Sequence, residues 1–125
     1  MKRIIKTDKA AKPVGPYNQA VQAGDTLYVS GQIPLDPKTG ELVKGSVQEQ
    51  TRMVMQNLGA ILEAAGMNFS NVVKCSIFIS DMNEFPKLNQ VYASYFENEP
   101  PARETVQVGA LPKFVDVEIS CIAIK

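Results

Sequence analysis

Residues 72–108, VVKCSIFISDMNEFPKLNQVYASYFENEPPARETVQV, decide how this chain folds. Val73, Cys75, Ile77 and Ile79 alternate with Lys74 and Ser76, and the β-branched content of the run favours a strand. A helix follows. Asp81 or Asn83 can cap it, Pro86 is tolerated only in a first turn, and Phe85, Leu88, Tyr92 and Phe96 recur as an apolar stripe. Pro100 and Pro101 end that helix, and residues 103–109 read as a second strand.

Working outward, residues 115–124 alternate again and form a last strand, joined to the one before it through ALPKF as a hairpin. Upstream, Ser46 and Glu49 make a capping box, with Val47, Thr51, Val54, Leu58, Ile61, Leu62 and Ala65 at helical spacing behind it and Gly66 placed to stop the helix. DPKTGELVKG supplies turn chemistry ahead of that box. Before it, DTLYVSGQIPL reads as a strand ended by Pro34, and AAKPVGPYNQAV as an ordered loop feeding a strand. The order implies one α+β domain over residues 1–125, a mixed sheet with both helices packed on one face. Tyr28, Ile33, Phe78, Ile122 and Ile124 are then left on the other face, where a homo-oligomer closing sheet against sheet would cover them.

Thirteen basic residues balance thirteen acidic ones, so no excess charge is available to neutralise a phosphate backbone, and a nucleic-acid partner is not expected. Lys2, Arg3, Lys6, Lys9 and Lys12 form the densest basic run, which reads as a solvated surface. No apolar segment approaches the roughly twenty residues of a membrane span, and no apolar leader opens the chain, so a cytoplasmic protein is expected. There is no histidine and only two cysteines. Cys75 and Cys121 lie in apolar runs, where they read as buried free thiols of a reducing compartment rather than metal ligands. The glycines match neither a dinucleotide fingerprint nor a phosphate loop.

Any chemistry must therefore use other groups. Alternation puts Arg103, Thr105 and Gln107 on one face of their strand, and Asp116, Glu118 and Ser120 together on theirs. In the expected hairpin, Arg103 lies opposite Glu118. An arginine fork holds a carboxylate through two parallel hydrogen bonds, and a nearby glutamate can take a proton from water. The pair fits attack of water on a small carboxylate-bearing electrophile; it equally fits an exposed cross-strand ion pair worth up to about 1 kcal/mol. Ser30 has no base to activate it and reads as a hydrogen-bonding strand-end residue, Tyr17 as a ring on a rigid loop, Asn89 as a helix residue.

GPYNQAV, YVSGQIPLDPKTGEL, NVVKCSIFISDMNEFPKLNQVYASYF, PPARETVQVGALPK and VEISCIAI together resemble the reactive-intermediate deaminase family, the RidA or YjgF group of imine and enamine hydrolases, over residues 10–124. The resemblance implies a chorismate-mutase-like fold in a barrel-like homotrimer with ligand clefts between subunits. It implies hydrolysis of 2-imino acids, such as 2-iminobutanoate and 2-iminopropanoate, to 2-oxo acids and ammonia without metal or organic cofactor. It further implies that Arg103 binds the substrate carboxylate and Glu118 positions or activates water. Gly31 would offer backbone contact, Ser30 and Asn89 would shape the pocket, and Tyr17 would line it. Thr105 stands where the family often has cysteine and keeps a hydroxyl for the carboxylate, while Glu104 stands where a small residue is usual.

Overall fold

The computed structural model describes residues 1–125 and contains β1 (Lys2–Ile5), β2 (Ala20–Ala23), β3 (Thr26–Gln32), α1 (Val47–Ala64), β4 (Val72–Ile79), α2 (Phe85–Ala93), β5 (Ala102–Gln107) and β6 (Val117–Ile124). The strands make one mixed sheet in the order β1-β2-β3-β6-β4-β5. Every neighbouring pair is antiparallel except β4 with β5, which run parallel. Both helices cover the same face, where α1 and α2 share a core with β3, β4 and β6. This is the mixed α+β architecture expected from the order of elements.

The expected hairpin of the last two strands does not form. β6 inserts between β3 and β4, and β5 is the far edge. Burial explains the arrangement. Val117, Ile119 and Ala123 are wholly buried and Cys121 nearly so, so β6 needs partners on both sides, whereas β5 has a single half-buried residue and suits an edge. The connection β4–α2–β5 is a helical crossover, which is how parallel neighbours are joined.

Local chemistry sets the element ends. Ser46 and Glu49 cap α1 reciprocally, and Gly66, at φ +74°, turns the chain out of it. Val54, Met55, Leu58, Ile61 and Leu62 of α1 are buried, each contributing about 1.5–3 kcal/mol relative to exposure. A register shift near the start of β4 turns Val72 rather than Val73 into the core. Asp81 accepts the Asn83 N–H at 3.0 Å, capping the turn that leads into α2. That helix stops at Ala93, before the prolines, and Tyr95 and Phe96 fold back against Phe69 with ring centroids 5.2 and 5.5 Å away.

Two further expectations change. The basic N-terminal run includes β1, whose Ile5 reaches the core. Ile33 does not remain on an open surface, because Ala11, Leu35, Leu111 and Val115 bury it in a second apolar cluster against which Phe78 packs. Tyr28 and Ile124 do remain exposed. Cys75 and Cys121 are buried free thiols facing each other across β4 and β6. No helix is long and apolar enough to cross a membrane.

Candidate active site

Arg103 is the second residue of β5 and registers with Cys75, whose side chain points to the core. Its own side chain therefore rises on the helix-covered face, along α2. Three α2 residues spaced along one stripe receive it. Arg103 Nη1 donates to Asn89 Oδ1 at 2.7 Å, and the guanidinium carbon lies 5.1 Å from the ring centroids of both Phe85 and Tyr92. The chain has two ion pairs, Lys74 with Glu104 and Lys87 with Glu84. Arg103 belongs to neither, so the remaining N–H donors of its fork stay available to an anion. Beside it opens a hollow of about 340 Å³ walled by Tyr92, Phe96, Pro100 and Pro101. Thr105 follows on the same face, half-buried and registered with Ile77.

Glu118 lies elsewhere. It registers with Phe78 on the uncovered face of β4 and packs against Gly31, where a Cβ would come within 2.7 Å of its Oε2. Only glycine leaves room for the carboxylate there. Glu118 is half-buried and makes no ion pair or hydrogen bond within the chain, and burial raises its pKa above the ordinary carboxylate range. A raised pKa brings a carboxylate closer to the basicity needed to take a proton from water.

The loop before β2 closes over this corner. Ser30 Oγ donates to the Asn18 carbonyl at 2.6 Å and its N–H donates to the Gln19 carbonyl at 2.9 Å, so the serine is a staple for the loop. The buried Gln19 side chain adds a second fastening, donating to the carbonyls of Thr7 and Ala11. Tyr17 hydroxyl accepts the Val14 N–H at 3.2 Å, which fixes the half-exposed ring. The crevice between Tyr17 and Gly31 holds only about 10 Å³, room for one water at most.

The structure thus brings Arg103, Asn89 and Thr105 together, and separately Glu118, Gly31, Ser30 and Tyr17. It does not join the two groups. The expected face-sharing of Arg103 and Glu118 is corrected: β4 separates their strands, their side chains leave opposite faces, and strand spacing and rise put their backbones on the order of 14 Å apart. The cross-strand ion pair is excluded with it. Glu104 points away from Arg103, onto the uncovered face, where Ser76 Oγ donates to it at 2.6 Å and Lys74 Nζ lies 3.2 Å away. These partners, the serine first, hold its pKa below the usual carboxylate value. Phe85 and Tyr92 were legible only as helix stripe. Their spacing around Asn89 was the available sign that the stripe faces an arginine as well as a core. A roomier hollow, about 720 Å³ between residues 8–14 and 35–40, contains none of the expected site residues.

The family described as Endoribonuclease L-PSP matches residues 7–125 of this chain. A RutC family protein of Pyrococcus horikoshii is 54% identical over 125 residues, covering 100% of this chain and 99% of that one. The chain belongs to the RutC/YjgF/RidA family. Within that family, the mouse protein named 2-iminobutanoate/2-iminopropanoate deaminase is 47% identical, over 100% of this chain and 93% of its own. Family members of known structure superpose closely. RidA from an Antarctic Psychrobacter gives a TM-score of 0.95 at 44% identity, covering 98% of this chain and 99% of that one. TdcF of E. coli, solved with bound serine, gives 0.94 at 41% identity over 98% of both chains.

Proposed function

We propose that this protein hydrolyses small 2-imino acids, 2-iminobutanoate and 2-iminopropanoate among them, to 2-oxo acids and ammonia in the cytoplasm, at sites between the subunits of a homotrimer. The observation that carries the reading is the pair of unneutralised groups: a guanidinium held in place without an anion, and a half-buried carboxylate without a cation. Each is half of a site. A second copy bringing its Arg103 edge to the Glu118 corner of the first completes it and covers the exposed face around Tyr28. Relatives of nearly half identity that are named as such deaminases support the same conclusion.

In the assembled site the Arg103 fork grips the substrate carboxylate, aided by the Thr105 hydroxyl, and Asn89 holds the fork. Glu118 takes a proton from water as the oxygen bonds to C2 of the C=N group, whose electron pair moves onto nitrogen. Glu118 passes that proton to the nitrogen, giving the tetrahedral amino-alcohol, and then takes the hydroxyl proton as C=O forms and hands it to the departing nitrogen as C–N breaks, so that both protons of the water leave with ammonia. Gly31 gives the carboxylate and water their space, and Tyr17 lines the corner on the loop stapled by Ser30. An imine is already electrophilic, so holding carboxylate and water in register supplies much of the acceleration.

The test generates 2-iminobutanoate in place with a threonine dehydratase and follows release of 2-oxobutanoate. The protein should accelerate release. Arg103→Ala should lower kcat/KM by about a hundredfold or more, as for loss of a charged partner, and Glu118→Gln by about 10²–10⁴, as for loss of a general base. No acceleration by the parent protein ends the deaminase reading. Carboxylate binding without turnover would instead identify a non-enzymatic ligand-binding protein, which the serine-bound relative makes the next reading.

A further inference from the structure

We infer that Phe85 and Tyr92 are positioning residues: with Asn89 they form a cradle that fixes the orientation of the Arg103 guanidinium, and that orientation sets the grip on a carboxylate. The inference rests on the reading of Arg103 as the carboxylate binder and adds how it is made selective.

Phe85, Asn89 and Tyr92 stand at i, i+4 and i+7 of α2 and so share one face. The helix rise between the two rings is about 10 Å. The guanidinium carbon is 5.1 Å from each centroid, so the cation is equidistant from the two rings. Asn89, between them, accepts from Nη1 at 2.7 Å. Two aromatic faces and one amide constrain both the plane of the fork and its rotation within that plane. An exposed edge-strand arginine would otherwise distribute over many rotamers, which costs binding when it must be ordered. Asn89 occupies one N–H of Nη1, and the other N–H groups along the edge of the fork are left for an edge-on approach, the geometry of bidentate carboxylate recognition.

Tyr92 suits this role for its ring rather than its hydroxyl. The side chain is 4% exposed, and the hydroxyl finds no well-aligned hydrogen-bond partner. It lies beside the Cys75 thiol, and burial, with that neighbour, raises its pKa. The phenol therefore stays protonated. Cys75, pushed up in pKa by burial, likewise stays a thiol.

The decisive experiment replaces the side chain by the free ion. In Arg103→Ala, guanidinium added below denaturing concentration should settle in the empty cradle, shift the ring-proton resonances of Phe85 and Tyr92, and restore part of the lost affinity for 2-oxobutanoate. In Arg103→Ala combined with Phe85→Leu, the Tyr92 shift and the recovered affinity should both disappear. With Arg103 intact, Phe85→Leu and Tyr92→Leu should each weaken 2-oxobutanoate binding by about 2–30-fold, the range of a cation–π contact. Tyr92→Phe, which keeps the ring, should restore it. Equal rescue with and without Phe85, or leucine variants that bind as the parent does, would overturn the cradle. Tyr92→Leu can unfold the core, but Phe85→Leu removes a partly exposed ring and settles the question alone. The ring-proton titration needs no turnover, so failure of the deaminase reading would leave this result standing and be seen separately.

Discussion

Glu118 is held against a glycine in a partly dry corner, and its charge has no partner there. Because its folded pKa is raised, the folded state holds the proton more tightly than the unfolded chain does. Stability therefore falls as pH rises from the ordinary carboxylate value through the raised one, and at neutral pH the ionised group is a cost. In the unassembled chain Glu118→Gln should consequently raise Tm at pH 7, and the Tm advantage should vanish in acid, where the parent is also neutral; thermal melts at several pH values, on protein diluted to the single chain, check this. The same shift predicts that kcat/KM of the parent falls on acidification at a pH above the ordinary glutamate range. Gly31→Ala is the complementary change. Its methyl would meet the end of the Glu118 side chain rather than backbone, so the carboxylate should swing aside, lowering kcat/KM at least tenfold, about the cost of misplacing a reacting group, with Tm nearly unchanged. Sequence alone pointed to Glu118 and Arg103 as residue types. What it could not show was that each lacks a neutralising partner, because that depends on which strands become neighbours.

At the scale of elements, the helices were legible because their signals are local. Ser46 and Glu49 satisfy each other's amides, and Ser46→Ala should cost about 1 kcal/mol of stability, measured by urea unfolding, with kcat/KM unchanged since the cap lies away from both half-sites. Strand pairing was not local. Consecutive strands are neighbours roughly two-thirds of the time, and the short ALPKF connection favoured a hairpin. The contrary sign lay in composition: ARETVQ is polar and reads as an edge, VEISCIAI is apolar and reads as a centre, and two such strands belong at different depths of a sheet. The connection itself is strained. Lys113 and Phe114 both adopt left-handed φ, 55° and 56°, as the chain climbs from the edge to the interior of the sheet. β1 was hidden for another reason: its basic residues obscured the single core residue, Ile5, that anchors it.

At the scale of the whole molecule, the sheet is a partition. It carries the arginine cradle on its helix-covered side and at one edge, and the glutamate corner on its uncovered side. No rotamer change in one chain carries both to one small substrate. The proposed function therefore requires assembly of copies, and the apolar residues left exposed on the open face, Tyr28 and Ile124 among them, are the surface such an assembly would cover. The resemblance in the sequence implied sites between subunits; strand order supplies a physical reason why one chain alone cannot bring Arg103 and Glu118 to one substrate. Mixed assembly tests this most directly. Arg103→Ala and Glu118→Gln, each inactive, are unfolded together in equal amounts, refolded and assayed for imine hydrolysis. If a site takes Arg103 from one copy and Glu118 from the next, as proposed, each mixed trimer regains one intact site. Random assortment into closed three-membered rings then restores about one quarter of parental activity. A refolded mixture of normal trimer mass with no more activity than its separate components would contradict the account.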